Sequence, residues 1–396
     1  MKVLLYIHRY GIPQRRFIRN GIAALTARGY ELRIITDEAA GPVATADPRV
    51  RVLPVALRPT WPHRLENKLR KAAGTAGYER WRRARHYTQP VTGSYAAALR
   101  AAVADFAPDL IHVHFGFSLF WLMDALGEHP PSPVLVTFRG VDASAFPRVR
   151  GYRRRLRRLL RHPAVHTSSV CQALADRLRA FGIALPRHHL LYTAIDVDFY
   201  RRQARGLPEL PRRFVQISSL NAKKGLLLTV RAFHTFAQRY PGRAWRLDIA
   251  GAGPLRGELE TLIATLGRRE EVQLLGQVSP EMGKSLLEQA HVFVHHSLTP
   301  ASGDMEGIPN AVLEAMSMEL PVLTSRHAGI PEAVTDGVHG ELVPEGRLEA
   351  YVAAIGRIFD RPHCGACRKR VVQRFSMDRH AAQLMTIYRT VAPDSV

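Results

Sequence analysis

Two glutamates in the last third of the chain have the spacing of a pair that holds one ligand. Glu306 and Glu314 lie eight residues apart in the segment GDMEGIPNAVLEAM, in which a loop with two glycines leads into a predicted helix. Glu306 falls in the loop and Glu314 on the second turn of the helix, so both side chains can line one cleft. A carboxylate accepts two hydrogen bonds from a vicinal diol, which favours a ribose for one glutamate and a hexose for the other.

The start of that helix suits an anion. Pro309 is predicted in the first turn, a position that proline favours, and the backbone N–H groups there have no partners inside the helix. Together with the helix dipole they suit a phosphate group. A glutamate pair in arbitrary surroundings is more often a solvated first-turn residue and a surface residue of an amphipathic helix. The spacing alone therefore leaves both interpretations open.

The elements around these glutamates alternate between strand and helix, which predicts parallel sheets. The chain opens with a strand, a helix and a second strand, and a similar series starts again near residue 212. Between the two series, Tyr200–Pro211 holds three arginines, two prolines and a glycine, a composition typical of a linker. The sequence therefore predicts an α/β protein with two doubly wound, Rossmann-like domains.

The predicted elements of the first half are strands at Lys2–Ile7, Glu31–Ile35, Leu110–His114 and Val134–Phe138 and a helix at Phe17–Ala27. Those of the second half are strands at Arg213–Ile217, Trp245–Ala250, Val272–Leu275, Val292–His295 and Val322–Ser325, and helices at Leu226–Arg239, Leu255–Leu266 and Ile308–Ser317. Polar loops such as HVHFG and TFRGVD follow the strands. They lie at the edge where open parallel sheets bind their ligands.

Charge is unevenly distributed along the chain of 396 residues, whose net charge is +22. Residues 1–200 hold 31 Lys+Arg and 14 Asp+Glu, a balance of +17, and the remainder contributes +5. A basic first half attracts nucleic acid, anionic lipid or a polyanionic substrate. No apolar run is long enough to span a bilayer and no cleavable signal is recognisable at the start, so we expect a cytoplasmic protein.

The segment Arg148–Arg161 is the densest part of the basic half. Tyr152, Leu156, Leu159 and Leu160 share one helical face, and arginines cover the rest. Such a helix can lie on anionic lipid at the inner face of the membrane, or it can be a solvated helix that docks on the protein through its apolar stripe. Nucleic acid is disfavoured because no stacking aromatics are interleaved with the arginines.

Metal and dinucleotide sites find little support. The chain has three cysteines, of which Cys364 and Cys367 form a single CxxC, and no second pair completes a zinc site. We expect reduced thiols and no metal. The loop Gly251-Ala252-Gly253-Pro254 follows a predicted strand, as a dinucleotide loop would, but no acidic residue ends the next strand. We therefore expect no cofactor.

Taken together, these segments resemble the retaining glycosyltransferases of family four, which have the GT-B fold. The resemblance covers nearly the whole chain and is strongest over residues 245–345, where the stretch HSLTPASGDMEGIPNAVLEAM is similar to the colanic-acid and exopolysaccharide branch. It implies two facing domains with a cleft between them. Residues 1–200 would bind the acceptor and 201–375 the nucleotide sugar, and a last helix at 376–396 would pack back on the first domain.

The resemblance also implies a reaction and roles for single residues. A hexose would move with retention from a nucleoside diphosphate to a polyprenyl-diphosphate-linked or oligosaccharide acceptor, without a metal. Glu306 would contact the sugar and Glu314 the ribose, while Lys224 would bind the diphosphate. Further donor contacts would come from Gly307, Ile308, Pro309, Asn310, Ser219, Gly251, Gly253, Gly276 and Val278, and acceptor contacts from Gly11, His114 and Asp142.

The sequence departs from the family pattern at two positions. Ser219 stands where relatives have an arginine that grips the diphosphate, and Arg139 stands where many have a histidine near the reacting centre. We hypothesise that the two changes compensate, with Arg139 supplying the missing guanidinium and taking part in catalysis. The same departures keep open a non-catalytic GT-B partner subunit, and the fold alone also suits a nucleotide-sugar epimerase or a phosphorylase.

Overall fold

The chain divides into two compact units, which the computed structural model describes over residues 1–10, 16–36, 38–39, 50–54, 93–203, 206, 210–361 and 363–393. The first unit comprises Met1–Ala194, Ala301–Asp304 and Met377–Val396, and the second comprises Ile195–Pro300 and Met305–Ser376. The main division thus falls between residues 194 and 195, where the sequence predicted 200 and 201. Ile195 belongs to the second unit, where its backbone N–H donates to the Phe375 carbonyl over 2.8 Å.

Parallel strands form the sheet of the first unit. They are β1 (Lys2–Ile7), β3 (Glu31–Thr36), β5 (Val50–Pro54), β6 (Leu110–His114), β7 (Val134–Phe138), β8 (Val165–Ser169) and β9 (His188–Leu190), and a separate short pair joins β2 (Arg9–Tyr10) to β4 (Glu38–Ala39). The sheet order is β5-β3-β1-β6-β7-β8-β9 within the described residues. Its strand connections reverse direction between β1 and β6, the point at which open α/β sheets bind ligands.

The helices of the first unit are α1 (Arg16–Thr26), α2 (Ser94–Phe106), α3 (Gly116–Leu126), α4 (Val141–Ser144), α5 (Arg150–Leu159) and α6 (Gln172–Ala180). The last helix of the chain, Met377–Val391, also belongs to this unit. Its Leu384, Ile387 and Tyr388 join the apolar core formed by β1 and β3, and the Tyr388 hydroxyl lies 2.8 Å from His112 Nδ1. Apolar burial therefore holds this helix on the sheet of the first unit.

The second unit repeats the architecture. Its strands are β10 (Arg212–Ile217), β11 (Trp245–Ala250), β12 (Val272–Gly276), β13 (Val292–His295), β14 (Val322–Ser325) and β15 (Gly340–Val343). Its helices are α7 (Leu226–Arg239), α8 (Arg256–Thr265), α9 (Pro280–Glu288), α10 (Asn310–Ser317), α11 (Ile330–Ala333), α12 (Leu348–Ile358) and α13 (Gly365–Phe375), so that Met377–Val391 is α14. The parallel order β12-β11-β10-β13-β14-β15 reverses direction between β10 and β13.

These sheets confirm the predicted α/β class and the predicted strands, most of them to the residue. The helices α1 and α8 start one residue from their predicted positions, and the largest difference is at α10. That helix begins at Asn310 instead of Ile308, because Pro309 has an extended backbone (φ −63°, ψ 126°) and caps the helix. Proline lacks the N–H that a helix interior needs, and here it stands one position before the first turn.

The basic helix α5 docks on the protein. The side chains of Tyr152, Leu156, Leu159 and Leu160 are all buried, and Tyr152 packs against Phe120 and Phe146 with ring centroids 4.9 and 5.5 Å apart. The apolar stripe is thus occupied by the unit's own core, which agrees with the second interpretation, a helix that docks on the protein through that stripe. Across the described residues, no helix combines the length and the apolar character needed to cross a bilayer.

Candidate functional site

The candidate site lies at the carboxyl edge of the second sheet. Lys224 follows β10 and Glu306 follows β13, the two strands that flank the reversal of strand order. Parallel strands all end at the same edge of a sheet, so the loops after β10, β11, β13 and β14 meet there. The fold therefore brings together residues that lie more than eighty positions apart in the sequence.

Glu306 is the centre of the cluster and its side chain is only 8% exposed. Its Oε1 forms an ion pair with the Nζ atom of Lys224, and the Nζ atom of Lys223 lies 3.8 Å from the same oxygen. The Ser297 hydroxyl donates to Oε2 over 3.2 Å. His295 Nε2 lies 3.5 Å from Oε2, too far for a well-formed hydrogen bond.

These neighbours keep the carboxylate ionised. Burial alone would raise the pKa of Glu306, but Lys224 first, then His295 and Lys223, outweigh burial and hold the pKa well below its ordinary value of 4.5. Burial lowers the pKa of His295 in spite of the nearby carboxylate, so that ring is neutral near pH 7. The site therefore presents an anion with a cation beside it, a combination that can accept hydrogen bonds from hydroxyl groups and attract phosphate.

The loop that carries Lys224 is fixed by a close backbone contact. Ala222–Lys224 form a short 3₁₀ turn and Gly225 follows with φ +59°. A Cβ atom at Gly225 would lie 2.0 Å from the His296 carbonyl oxygen, so only glycine fits between the two loops. Gln216 donates to the Lys224 carbonyl over 3.0 Å, which anchors the turn to β10.

Two glycines after β11 allow a second close contact. A Cβ atom at Gly251 would lie 1.8 Å from the Ser218 carbonyl oxygen, and one at Gly253 would lie 2.4 Å from that of Leu220. The loop therefore packs directly on the loop after β10. Ser219 is exposed within it and accepts a hydrogen bond from Asn221 Nδ2 over 2.8 Å.

The remaining predicted donor residues line the same edge. Gly276 ends β12 with φ +73°, and its carbonyl accepts the Gly251 N–H over 2.6 Å. Val278 is half-buried directly before helix α9. Gly307, Ile308 and Pro309 are buried, whereas Asn310 and Glu314 on the first two turns of α10 are half-buried.

The main chain of Glu306, like its carboxylate, is held by hydrogen bonding. Its backbone N–H donates to His327 Nε2 over 3.1 Å, and His327 Nδ1 lies 2.7 Å from Glu345 Oε1. No site role was predicted for Glu345, Lys223 or Ser297. Their signal was weak but present, since each is a polar residue just beyond the end of a strand.

The predicted acceptor-side residues belong to the first unit. His114 ends β6, and its Nδ1 accepts a hydrogen bond from Arg139 Nη2 over 2.9 Å. Asp142 is fully buried and accepts the backbone N–H groups of Gly116, Arg139 and Gly140 over 2.8, 3.1 and 3.0 Å. Burial raises the pKa of Asp142 although these donors oppose it. Its carboxyl group thus organises the loop after β7. The third predicted acceptor-side residue, Gly11, lies outside the described residues.

No metal site is formed by the described residues: nowhere among them do three His, Cys, Asp or Glu side chains converge on one point. Cys171, Cys364 and Cys367 are buried and form no disulfide. His112 stacks on His114 at 4.5 Å, and its ring nitrogens contact Tyr388 and Thr137. Burial, with smaller effects of Arg139 and His380, lowers the pKa of His112 to about 3, so this ring is a neutral core residue.

Sequence comparison divides the chain much as the structure does. Residues 14–199 match the family described as Glycosyltransferase Family 4, and residues 199–374 match Glycosyl transferases group 1. The amylovoran biosynthesis glycosyltransferase AmsK of Erwinia amylovora is 30% identical over 75% of this chain and 74% of its own length. The Salmonella typhimurium protein WcaL, named for colanic acid biosynthesis, is 26% identical, with 99% of this chain and 100% of WcaL covered.

Solved structures give the same fold over the whole length. Sucrose-phosphate synthase of Thermosynechococcus elongatus superposes with a TM-score of 0.78 and 18% identity, and 100% of both chains is covered. HepE of Anabaena, in complex with UDP and glucose, superposes with a TM-score of 0.73 and 17% identity, again over 100% of both chains. At these identities the likeness establishes two Rossmann-like domains of the GT-B type.

Proposed function

The chain belongs to the family 4 glycosyltransferases, and we propose that it moves a hexose, with retention, from a nucleoside diphosphate sugar to a growing surface polysaccharide. The observation that carries the proposal is the buried, ionised Glu306 beside Lys224 at the point where the second sheet reverses its strand order. The names of AmsK and WcaL support an exopolysaccharide as product. The UDP and glucose bound by HepE support a nucleotide sugar as donor.

On the donor side, Lys224 links the sugar to the diphosphate. Its ammonium group has three donors, of which the ion pair with Glu306 uses one, and its side chain is 14% exposed. We assign the others to the diphosphate. The backbone N–H groups at the start of α10 would bind a phosphate oxygen, and Glu314 would accept hydrogen bonds from the ribose. Glu306 would orient the hexose through its hydroxyl groups.

Transfer requires that charge on the leaving diphosphate be stabilised. A fixed cation and helix N-terminus supply that stabilisation without reorganisation during the reaction. A double displacement would need a carboxylate that is free to attack the anomeric carbon. The oxygens of Glu306 are engaged by Lys224 and Ser297, so we favour attack of the acceptor on the same face as the departing diphosphate, without a covalent intermediate.

Calorimetric titration with UDP, GDP and ADP tests the donor site. We expect one nucleotide to bind in preference to the other two. Glu314→Ala should weaken that binding at least about tenfold, because a hydrogen bond to a charged group contributes about 1.5–3 kcal/mol. Glu271→Ala is the matched control, since Glu271 directly precedes β12 at the opposite edge of the sheet and pairs with Arg268. Absence of binding by the wild type would favour the partner-subunit alternative.

The same titration decides whether Arg139 supplies the guanidinium group that relatives carry at the position of Ser219. If it does, Arg139→Ala lowers both donor affinity and turnover. An unchanged affinity together with unchanged turnover would contradict the compensation. Arg139 would then act only as the partner of His114 in the first unit.

Retention is tested by the anomeric configuration of the product. Proton NMR of the product formed from an α-linked nucleotide sugar measures the coupling constant of the anomeric proton. We expect the α configuration in the first product formed. A β product would contradict same-face attack, and an α product accompanied by trapped glycosyl-enzyme in mass spectrometry would indicate a double displacement.

The acceptor side supports a lipid-linked substrate at an anionic surface. Helix α5 uses its apolar stripe for packing, but Arg150, Arg154, Arg158 and Arg161 are exposed. Clustered arginines are attracted to anionic headgroups with a strength that falls as salt is added. We propose that charge, without apolar insertion, holds the first unit at the inner face of the cytoplasmic membrane, where polyprenyl-diphosphate acceptors are used.

Flotation with vesicles tests this surface. We expect binding to vesicles that contain anionic lipid, little binding to neutral vesicles, and release by high salt. Reversing Arg154, Arg158 and Arg161 to glutamate should abolish binding. The control reverses Arg231, Arg269 and Lys369, which are exposed in the second unit, and so makes the same change in net charge. Equal loss in both variants would assign the effect to net charge alone and contradict a specific surface.

A further inference from the structure

A series of hydrogen bonds links three groups: the Glu306 backbone N–H, the His327 ring and the Glu345 carboxylate. His327 follows β14 and its side chain is fully buried. It lies between the backbone N–H of Glu306, 3.1 Å from Nε2, and Glu345 Oε1, 2.7 Å from Nδ1. Glu345 follows β15. The series therefore connects the ends of two strands to the loop that carries the central carboxylate.

The hydrogen bonds determine which ring nitrogen of His327 carries the proton. A backbone N–H can only donate, so Nε2 must accept and is unprotonated. The proton of the neutral ring then lies on Nδ1 and points at Glu345. In a protonated ring the Nε2–H group would face the Glu306 N–H group, and two donors cannot bond each other. The geometry therefore requires the neutral ring with its proton on Nδ1.

Glu345 is itself fixed in an ionised state. The backbone N–H of Thr299 donates to its Oε2 over 2.9 Å, and the Thr299 hydroxyl lies 3.4 Å from Oε1. Burial raises the pKa of Glu345, but hydrogen bonds from His327 and Thr299 outweigh burial and lower the pKa below its ordinary value. An ionised acceptor strengthens the bond from Nδ1 and so orients the ring.

The loop needs such support because it lacks regular structure. Residues 296–309 contain neither helix nor strand, so the Glu306 peptide has no neighbour in a ladder to satisfy its buried N–H. A second bond acts on the other side of the Glu306–Gly307 peptide, where the Gly307 carbonyl accepts the Gly329 N–H over 3.2 Å. The turn after β14 thus holds the loop on both sides of that peptide, through the His327 ring on one side and through the Gly329 backbone on the other.

We propose that His327, oriented by Glu345, is a positioning residue that fixes the main chain of Glu306 so that its carboxylate meets the donor sugar. This inference rests on the proposed function, which gives Glu306 its contact with the sugar. His327 touches no reacting atom, and its effect passes through Glu306. Loss of its bond to Glu306 would lower turnover more than it lowers affinity for the nucleotide, because Glu306 would meet the sugar, whereas Lys224 on the loop after β10 and Glu314 on α10 would bind the diphosphate and the ribose.

Two conservative variants test the two hydrogen bonds of the His327 ring separately. The amide of asparagine reaches the position of Nδ1, so His327→Asn keeps the bond to Glu345 and loses that to Glu306. The amide oxygen of glutamine reaches the position of Nε2, so His327→Gln keeps the bond to Glu306. We expect kcat to fall at least about tenfold in H327N, with the Kd for the nucleotide changed less than about twofold, and to stay within about threefold of wild type in H327Q.

His339 provides the matched control. It is another buried histidine of the second unit, and its Nδ1 accepts the Thr335 N–H over 2.9 Å. His339→Gln removes that bond and leaves the part-buried Thr335 N–H without its acceptor, at a place away from Glu306. It should lower the unfolding temperature and leave kcat unchanged. A fall in kcat as large as that of H327N would show that any loss of stability in this unit has the same effect.

A measurement that does not depend on activity completes the test. Hydrogen exchange of a peptide that contains the Glu306 amide should accelerate in H327N and stay slow in H327Q. Equal exchange and equal kcat in the two variants would overturn the inference. A wild type that binds no nucleotide would instead overturn the proposed function, and the exchange comparison would still decide whether His327 holds the Glu306 main chain.

Discussion

The second unit is organised around one electrostatic constraint, the burial of the Glu306 carboxylate. A buried charge is costly unless it is paired and hydrogen-bonded, and removing one partner of a buried pair costs about 3–5 kcal/mol. Lys224 meets that requirement from the loop after β10, and Ser297 adds a hydrogen bond from the loop after β13. For the two loops to meet, the residue after Lys224 must be a glycine, because the His296 carbonyl occupies the space of a side chain.

The first unit also contains a buried carboxyl group, which has a different role. This group, on Asp142, accepts three backbone N–H groups, and no lysine or arginine among the described residues forms an ion pair with it. It shapes a loop, whereas Glu306 is placed beside a cation at the sheet edge. Part of the arginine excess of the first unit lies on the exposed surface of α5, which presents charge outward while its apolar residues complete the core. The two carboxyl groups illustrate how partners, more than residue type, decide a role.

Most of the fold could be predicted from the sequence because alternating apolar strands and amphipathic helices are local signals. β1, β6, β7, β11, β13 and β14 have their predicted bounds. The site was predicted in part. Glu306 and Lys224 followed from a family resemblance. Ser297, His327 and Glu345 did not, because their contacts join residues 9, 21 and 18 positions apart that no local pattern relates and that only the fold brings together. The start of α10 was misjudged since proline is compatible with the first turn and with the cap, and only the backbone angles decide.

A double-mutant cycle on Lys224→Met and Glu306→Gln tests most directly whether the two residues act as one unit. The quantity to measure is kcat/KM for transfer from the preferred nucleotide sugar, in the wild type, the two single variants and the double variant. If the pair is a unit, each single change lowers kcat/KM at least about hundredfold and the double variant is no worse than the poorer single one. Losses that multiply in the double variant would contradict this, because they would mean that the lysine and the carboxylate serve the donor independently.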